Sequence, residues 1–411
     1  MQFNQIIGQA DTKQHLAEMV QHNRLSHALL FLGREGCGAL PLAIAFAQYI
    51  VCEKVNGKAV AAPAGPSLFG EEPAPASRLP DFRTSGLTDS CGVCPSCSKA
   101  GKLVHPDIHF SYPVVPRKSG DKPLSTDYAG EWREFVQQYP YGNAYDWLQF
   151  IDAENKQGNI TAHECNDIIR KLNLKSFESG YKILIMWMPE YLGNEGNKLL
   201  KLIEEPPANT LFVLVAENES LVLPTILSRC QLVKVPALET ADIAQALAER
   251  AKLSPDQAGQ VAGISEGNYR EALQSLQHAD EDWQHLLREW LNATLKTGPV
   301  AQVKWIEEIS KQGREKQKQF LRYFNHLLEQ SVRLRTLPSN HNSLISMPEK
   351  EKDFAGRLNK LADIGQQKAI IEELDKAAYY IERNANAKML FHALTIKLYH
   401  IIADKSLILV N

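Results

Sequence analysis

Short, largely unbroken runs of apolar residues most constrain what this chain can fold into. They cover residues 28–32, 182–188, 211–215 and 232–235, and stretches with helical spacing of apolar residues separate them. A strand without polar alternation is typical of a parallel sheet that helices cover on both faces. The first 238 residues therefore predict an α/β domain with a doubly wound parallel sheet.

Strand signals stop after Pro236, and helical spacing of apolar residues takes over. Leu286, Leu287 and Trp290, for example, share one face of a predicted helix. The length of 411 residues suits two or three domains. We predict the α/β domain over 1–238, a small helical lid over 239–280 and an all-α domain over 281–411.

Two stretches of unusual composition interrupt the α/β pattern. Residues 54–90 are rich in proline, alanine, glycine and serine, which is typical of a flexible insertion. Residues 111–150 are rich in aromatic residues, which argues against a flexible linker. We predict an insertion that packs on the domain surface, in preference to a partner-binding patch. Its aromatic residues are Tyr112, Tyr128, Trp132, Phe135, Tyr139, Tyr141, Tyr145, Trp147 and Phe150.

Cys91, Cys94 and Cys97 place three thiols within seven residues. Zinc takes four tetrahedral ligands, and tight Cys-x-x-Cys turns present thiolates well. The fourth ligand is either Cys52, at the end of a predicted helix, or His105. A closed site of four ligands is structural and defines a zinc module of about 52–105, with an iron–sulfur cluster as the alternative.

Composition excludes several classes of protein. The chain has 45 Lys and Arg against 48 Asp and Glu, a formal charge of −3, so it does not hold nucleic acid by bulk charge. Arg314, Lys316 and Lys318 are predicted to lie on a solvated helix face. We find no membrane span and no signal-peptide pattern, so a cytoplasmic protein with reduced cysteines is expected.

A glycine-rich turn follows the first apolar run, where backbone amides can cradle phosphates. Its glycines are Gly33, Gly36 and Gly38. A working phosphate loop continues with Lys and with Ser or Thr, but here Ala39 and Leu40 follow. The strand 182–186 runs into Trp187 and Met188, where an Asp and a Glu of a hydrolysis site are expected. The joint loss predicts a retained nucleotide-binding fold without its own hydrolysis.

Several motifs resemble the delta-prime subunits of the bacterial DNA polymerase III clamp loader, a family of AAA+ proteins. Together they span residues 6 to about 238, and the C-terminal third matches mainly in its helical character. The matching segments are Ile6-Ile7-Gly8-Gln9, Arg24-Leu25-Ser26-His27-Ala28-Leu29-Leu30-Phe31, the three-cysteine cluster with His105-Pro106-Asp107, Glu204-Glu205-Pro206-Pro207-Ala208-Asn209-Thr210 and Leu223-Pro224-Thr225-Ile226-Leu227-Ser228-Arg229-Cys230-Gln231.

The resemblance implies a role for the motif Ser228-Arg229-Cys230. In this family Ser-Arg-Cys carries an arginine finger that enters the ATP site of a neighbouring subunit. A guanidinium offers a planar fork to the γ-phosphate, and a finger in trans can contribute roughly 10³ to 10⁵ in rate. The alternative is a surface arginine that stabilises a helix end.

Two further assignments follow from the resemblance. The family's zinc knuckle corresponds to Cys52, Cys91, Cys94 and Cys97. Arg270 lies where AAA+ proteins place a second nucleotide-sensing arginine, and without a working phosphate loop we interpret it as structural or vestigial.

The implied function is a non-hydrolysing subunit of the clamp loader, within the DNA polymerase III holoenzyme. Zinc would be structural, and ATP would bind to neighbouring subunits. Residues 281–411 would form a helical collar with the gamma/tau motor subunits and the delta subunit, and the complex would load a sliding clamp onto primer-template DNA. The alternatives are an autonomous AAA+ ATPase and a zinc-dependent nucleic-acid-binding adaptor.

Overall fold

The computed structural model describes residues 1–57, 89–118, 120–153, 156–277, 283–336, 349–382 and 385–403. Its contacts divide the chain into two compact units, Met1–Gln274 and Ser275–Asn411. Most of the predicted Pro-rich insertion 54–90 lies outside the described residues. Within them, no helix is both long and apolar enough to cross a membrane.

The first unit is built on a five-stranded parallel sheet. Its strands are β1 (Ala28–Leu32), β2 (Ile108–Ser111), β3 (Lys182–Trp187), β4 (Thr210–Ala216) and β5 (Gln231–Lys234). Their order is β2-β3-β4-β1-β5, and each neighbouring pair is parallel. Together with the all-α second unit, this confirms the predicted fold class.

Alternate side chains of the central strands enter two separate cores. Leu29 and Phe31 of β1 pack into one core with α2 (Ala39–Val51), whereas Ala28 and Leu30 enter the other. Strands β3 and β4 alternate in the same way. Burial on both faces explains why these strands read as unbroken apolar runs.

Helices and helical turns surround the sheet and form the lid. The remaining α-helices of this part of the chain are α1 (Ala10–Gln21), α3 (Pro95–Gly101), α4 (Ala129–Gln138), α5 (Ala144–Phe150), α6 (Ala162–Leu172), α7 (Leu200–Glu204), α8 (Pro224–Leu227), α9 (Thr240–Arg250), α10 (Pro255–Ile264) and α11 (Tyr269–Gln277). Among the residues that the structure describes here, 3₁₀ segments accompany them at Phe3–Gln5, Ser125–Tyr128, Pro189–Leu199 and Glu219–Leu221.

The helix predicted over 194–205 is wrong in its form. The chain instead makes 3₁₀ turns over Pro189–Leu199, interrupted at Gly193, and only then the short α7. Gly193 has φ of 51°, a left-handed value that glycine adopts without a Cβ penalty and that stops a regular helix.

The aromatic-rich segment does not lie on the surface as predicted. Tyr112, Trp132, Phe135 and Trp147 are almost completely buried and belong to the same core as Leu29 and Phe31. Trp132 stacks on Tyr112 with 3.9 Å between ring centroids. The segment completes the core on one side of the sheet.

The second unit is entirely helical in its described residues. Its helices are α12 (Trp283–Asn292), α13 (Pro299–Ser310), α14 (Arg314–Thr336), α15 (Glu349–Leu361), α16 (Ile364–Glu382) and α17 (Ala387–Ile402), with a π-helical turn at Ala293–Thr297. The Trp290 and Trp305 rings stack at 4.8 Å in its core.

The prediction of a solvated basic face on α14 is wrong. Lys318 is buried, with 5% of its surface exposed, and Arg314 and Lys316 are half-buried. These cations therefore do not form an open basic surface.

Candidate functional site

Four cysteine sulfurs converge next to the sheet domain. Cys52 follows the end of α2, Cys91 and Cys94 precede α3, and Cys97 lies in its first turn. The four Sγ atoms lie within 4.8 Å of one another, and those of Cys91 and Cys97 are 3.9 Å apart. Tetrahedral zinc with bonds of about 2.3 Å separates its sulfurs by about 3.8 Å, so the cluster could hold this ion after a small contraction.

Hydrogen bonds and burial shift the pKa values of these cysteines in opposite directions. The Cys97 thiol and the Cys91 backbone N–H both donate to Cys52, and together they lower the pKa of Cys52 to about 5. The neighbouring Cys52 sulfur and burial raise the pKa of Cys97. A bound cation would deprotonate all four thiols, because a coordinated thiolate is stabilised by the metal charge.

His105 is not with the cysteines. Its Nε2 lies 3.2 Å from Glu178 Oε1, and its Nδ1 accepts the Asp107 backbone N–H at 3.2 Å. Burial lowers the pKa of His105. Of the two candidates for the fourth ligand, the fold brings Cys52 to the other three.

The three isolated cysteines are packed side chains with neutral thiols. Burial raises the pKa of Cys37 to about 12 and those of Cys165 and Cys230 to about 11. In each case burial outweighs any neighbouring group that favours the thiolate, which a catalytic cysteine needs.

Side chains of this protein fill the space over the glycine-rich turn. A Cβ added to Gly36 would lie 1.8 Å from Asn268 Oδ1, and one added to Gly38 would lie 2.8 Å from the Tyr141 ring. Tyr141 Oη accepts the Ile7 backbone N–H at 2.9 Å. Gly36 and Gly38 have φ of 72° and 89°, which suits glycine.

Arg270 closes the same region with its charge. Its guanidinium holds Asp146 in a bidentate pair, with Nε–Oδ2 at 2.5 Å and Nη2–Oδ1 at 2.6 Å. Its Nη1 donates to Glu35 Oε1 at 2.8 Å. Glu35 lies in the glycine-rich turn and Asp146 in α5, so Arg270 joins three segments.

The positions that carry charge in a working nucleotide site are apolar and buried here. Ala39 and Leu40 begin α2 and pack into the core. Trp187 at the end of β3 packs on Trp132 with ring centroids 5.2 Å apart. These side chains offer no ligand for magnesium and no charge for a γ-phosphate.

Arg229 has a different environment. It follows α8 and precedes β5, and 32% of its side chain is exposed. Its Nε donates to Glu204 Oε1 at 2.5 Å, and its Nη1 donates to the Thr225 carbonyl at 2.6 Å and to Ser228 Oγ at 3.2 Å.

The glycine-rich turn and Arg229 lie at opposite ends of the parallel strands. The turn follows the carboxyl end of β1, whereas Arg229 precedes the amino end of the adjacent parallel β5. The five residues of β1 extend about 16 Å from one end of the strand to the other. Arg229 is therefore out of reach of the turn in its own chain.

Comparison with known proteins now gives the family. The model of the family described as "DNA polymerase III, delta subunit" matches residues 8–65 and 81–239, more than half of the chain. The chain belongs to this family. The family resemblance predicted from the sequence motifs is confirmed.

Curated relatives carry related names. DNA polymerase III subunit delta' of Bacillus subtilis (strain 168) is 26% identical over 259 residues, 63% of this chain and 56% of the relative. DNA polymerase III subunit tau of the same organism is 24% identical over 335 residues, 80% of this chain and 46% of the relative. The chain thus spans about half the length of these relatives.

Among solved structures, a DNA polymerase III gamma subunit-related protein from Thermotoga maritima is similar. Its TM-score is 0.38 at 14% sequence identity, and the match covers 95% of this chain and 99% of that chain.

Sequence reasoning missed the partners of both arginines. Glu35 and Asp146 are 235 and 124 residues from Arg270, and Glu204 is 25 residues from Arg229. No local spacing reports such pairs. The one available signal was that Glu35 lies within the glycine-rich turn.

Proposed function

We propose that this member of the family is a non-hydrolysing clamp-loader subunit that supplies Arg229 to the ATP site of a neighbouring subunit. The observation that carries the proposal is the position of Arg229: it lies at the amino ends of the strands, and its own glycine-rich turn lies at their carboxyl ends. An arginine placed in this way acts on a nucleotide only if another subunit brings the nucleotide to it.

The glycine-rich turn supports the first part of this proposal, that the chain does not hydrolyse ATP itself. Asn268, Tyr141 and Arg270 occupy the region over the turn. Ala39 and Leu40 stand where a hydrolysing site has a cation and a hydroxyl. We therefore expect the purified chain to have no ATPase activity of its own.

The surroundings of Arg229 support the second part, that its guanidinium can be supplied to a neighbouring subunit. Its pair with Glu204 lies at the surface, where such a pair contributes about 0–1 kcal/mol, so its release costs little. The Thr225 carbonyl and the Ser228 hydroxyl hold one side of the guanidinium. The planar fork can then offer paired donors to γ-phosphate oxygens as charge develops on them.

The assembly belongs to the same proposal. The α/β module 1–238 carries Arg229, the lid 239–280 covers its degenerate turn, and the helices of 281–411 form a collar with gamma/tau and delta subunits. ATP binds to those neighbours, and the assembled complex places a sliding clamp on primed DNA. Zinc at Cys52, Cys91, Cys94 and Cys97 is a structural ion.

Reconstitution with gamma/tau and delta subunits of the same organism tests the proposal. Steady-state ATP hydrolysis is measured with clamp and primed DNA for the wild-type chain, Arg229→Ala and Arg229→Lys. Turnover at the site facing Arg229 should fall by about 10³-fold or more for Arg229→Ala. Arg229→Lys should recover only part, because lysine lacks the fork.

Arg170→Ala is the matched control, since Arg170 is also an exposed, helix-associated arginine paired with one carboxylate, that of Asp167. It should leave turnover unchanged. Unchanged hydrolysis by an intact Arg229→Ala complex would contradict the proposal. Hydrolysis by the purified chain alone would support the autonomous ATPase instead.

A further inference from the structure

The helical lid, defined here as α9, α10 and α11, rests directly on the glycine-rich turn. The Tyr269 backbone N–H donates to the Gly36 carbonyl at 3.2 Å, and the Leu238 N–H donates to the Gly267 carbonyl at 3.1 Å. Asn268 Oδ1 is close enough to Gly36 that any Cβ there would clash. The turn therefore contacts the lid directly.

Arg270 is the charged part of this contact and is almost fully buried, with 4% of its side chain exposed. Asp146 and Glu35, which it binds, have 16% and 15% of their side chains exposed. Both carboxylates keep their charge paired in a poorly hydrated place, where charge-assisted, bidentate bonds are at their strongest. Each carboxylate comes from a different segment of the sheet domain.

Tyr141 and Tyr269 extend the contact with apolar area. Their rings meet edge to face with 5.0 Å between centroids. Tyr141 is anchored to Ile7, as described above, and its ring edge covers Gly38. The aromatic-rich segment thus supplies both a carboxylate and a ring to the surface on which the lid rests.

Two negative groups next to a glycine-rich turn, bound by an arginine from the covering helix, have the charge pattern that a phosphate would bring to the same place. We infer that Glu35 and Asp146 take the place of a bound nucleotide: they hold Arg270 and fix the lid on the sheet whether or not ATP is present. This inference rests on the proposed non-hydrolysing function, and it gives Arg270 a positioning role.

Hydrogen exchange of the full chain, read by mass spectrometry, tests the inference. The peptides followed contain Leu238 and Tyr269, with a β4 peptide containing Val213 as the internal reference. In the double variant Glu35→Gln/Asp146→Asn, exchange of the two lid peptides should accelerate at least about tenfold, since a buried guanidinium loses both charged partners. The Val213 peptide should be unchanged.

Glu131→Gln is the matched control. It breaks the exposed pair of Arg117 and Glu131 within the same aromatic-rich segment, and it should leave both lid peptides as in the wild type. The amide in Asp146→Asn retains an oxygen that can accept the Asn143 N–H at the start of α5, so the cap of that helix is kept. If the double variant unfolds, Glu35→Gln alone should give a smaller acceleration confined to the lid peptides.

Two results would overturn the inference. One is exchange of the lid peptides no faster in Glu35→Gln and the double variant than in Glu131→Gln. The other is slower exchange of these peptides in the wild-type chain when millimolar Mg·ATP is added, because a nucleotide would then tighten the lid. The free chain is used throughout, so failure here is distinct from failure of Arg229 in the reconstituted complex.

Discussion

Arg270 and Arg229 show two different uses of the same side chain. Arg270 is buried, binds two carboxylates and joins the lid to the glycine-rich turn. Arg229 is about one-third exposed, binds one half-exposed carboxylate and lies at the other end of the strands. Each guanidinium is paired, so pairing alone does not distinguish a structural arginine from one that serves a partner.

The number of partners and the burial make the distinction. Removing Arg270 would leave two poorly hydrated carboxylates without their counter-ion, which is costly. Removing Arg229 would leave Glu204 in contact with water, which costs little. The buried side of the comparison should therefore appear in stability, and the exposed side in the activity of the assembled complex.

The cysteine cluster is a second buried group that, like Arg270, should stabilise the fold. Its loss should have the largest effect on the free energy of unfolding. Chelation of the zinc that we propose at this cluster, or Cys52→Ser, should lower the free energy of unfolding on the order of 5 kcal/mol or more, because metal binding at structural zinc sites is coupled to folding. Thermal unfolding with metal analysis checks this. Cys230→Ser, outside the cluster, is the control.

If the purified chain contains no metal and unfolds identically after Cys52→Ser, the cluster does not stabilise the fold. Visible absorption typical of iron–sulfur would keep the site but change its metal.

Arg270→Ala is the next largest effect. It should lower the unfolding free energy by about 3–5 kcal/mol, since it breaks a buried pair by removing one partner. Urea unfolding followed by tryptophan fluorescence measures it. Trp132, Trp147 and Trp187 report on the sheet domain, and Trp290 and Trp305 add the signal of the second unit, which the variant should leave unchanged. A loss below about 1 kcal/mol would make Arg270 equivalent to a surface arginine and end the comparison.

Tyr141→Phe sharpens the same side with a smaller change. It removes the hydroxyl that accepts the Ile7 N–H and should cost about 1–3 kcal/mol, the penalty for a buried donor left without a partner. Tyr139→Phe, at a half-exposed ring, should change stability by less than about 0.5 kcal/mol. Equal effects of the two variants would show that Tyr141 acts only by area.

Arg229→Ala should have a smaller effect on stability than Arg270→Ala, within about 1 kcal/mol, because its pair with Glu204 is at the surface. The same urea titration measures it beside Arg270→Ala. A loss as large as that of Arg270→Ala would place Arg229 among the structural residues.

Strands β1, β3 and β4 could be predicted because two-sided burial leaves an apolar run with no polar alternation. Strand β2 could not, since it has four residues at the edge of the sheet and His109 and Ser111 break its apolar pattern. The fold class and the cysteine cluster therefore followed from local sequence.

Placement of the aromatic-rich segment could not be predicted from its composition. Aromatic residues are compatible with a surface patch or with a core, and the choice depends on the space that β2 and β3 leave open. Trp132 fills that space against Trp187, which is 55 residues away in sequence. The ion pairs of Arg270 are even more distant and depend on the completed fold.

Single-turnover ATP hydrolysis by the reconstituted complex, with clamp and primed DNA, tests the central claim most directly. Only this chain is varied, and assembly is verified by size-exclusion chromatography. The account predicts that Arg229→Ala removes the fast phase of the one site it faces, while Arg170→Ala keeps it. An intact complex that retains the full fast phase with Arg229→Ala would contradict the account.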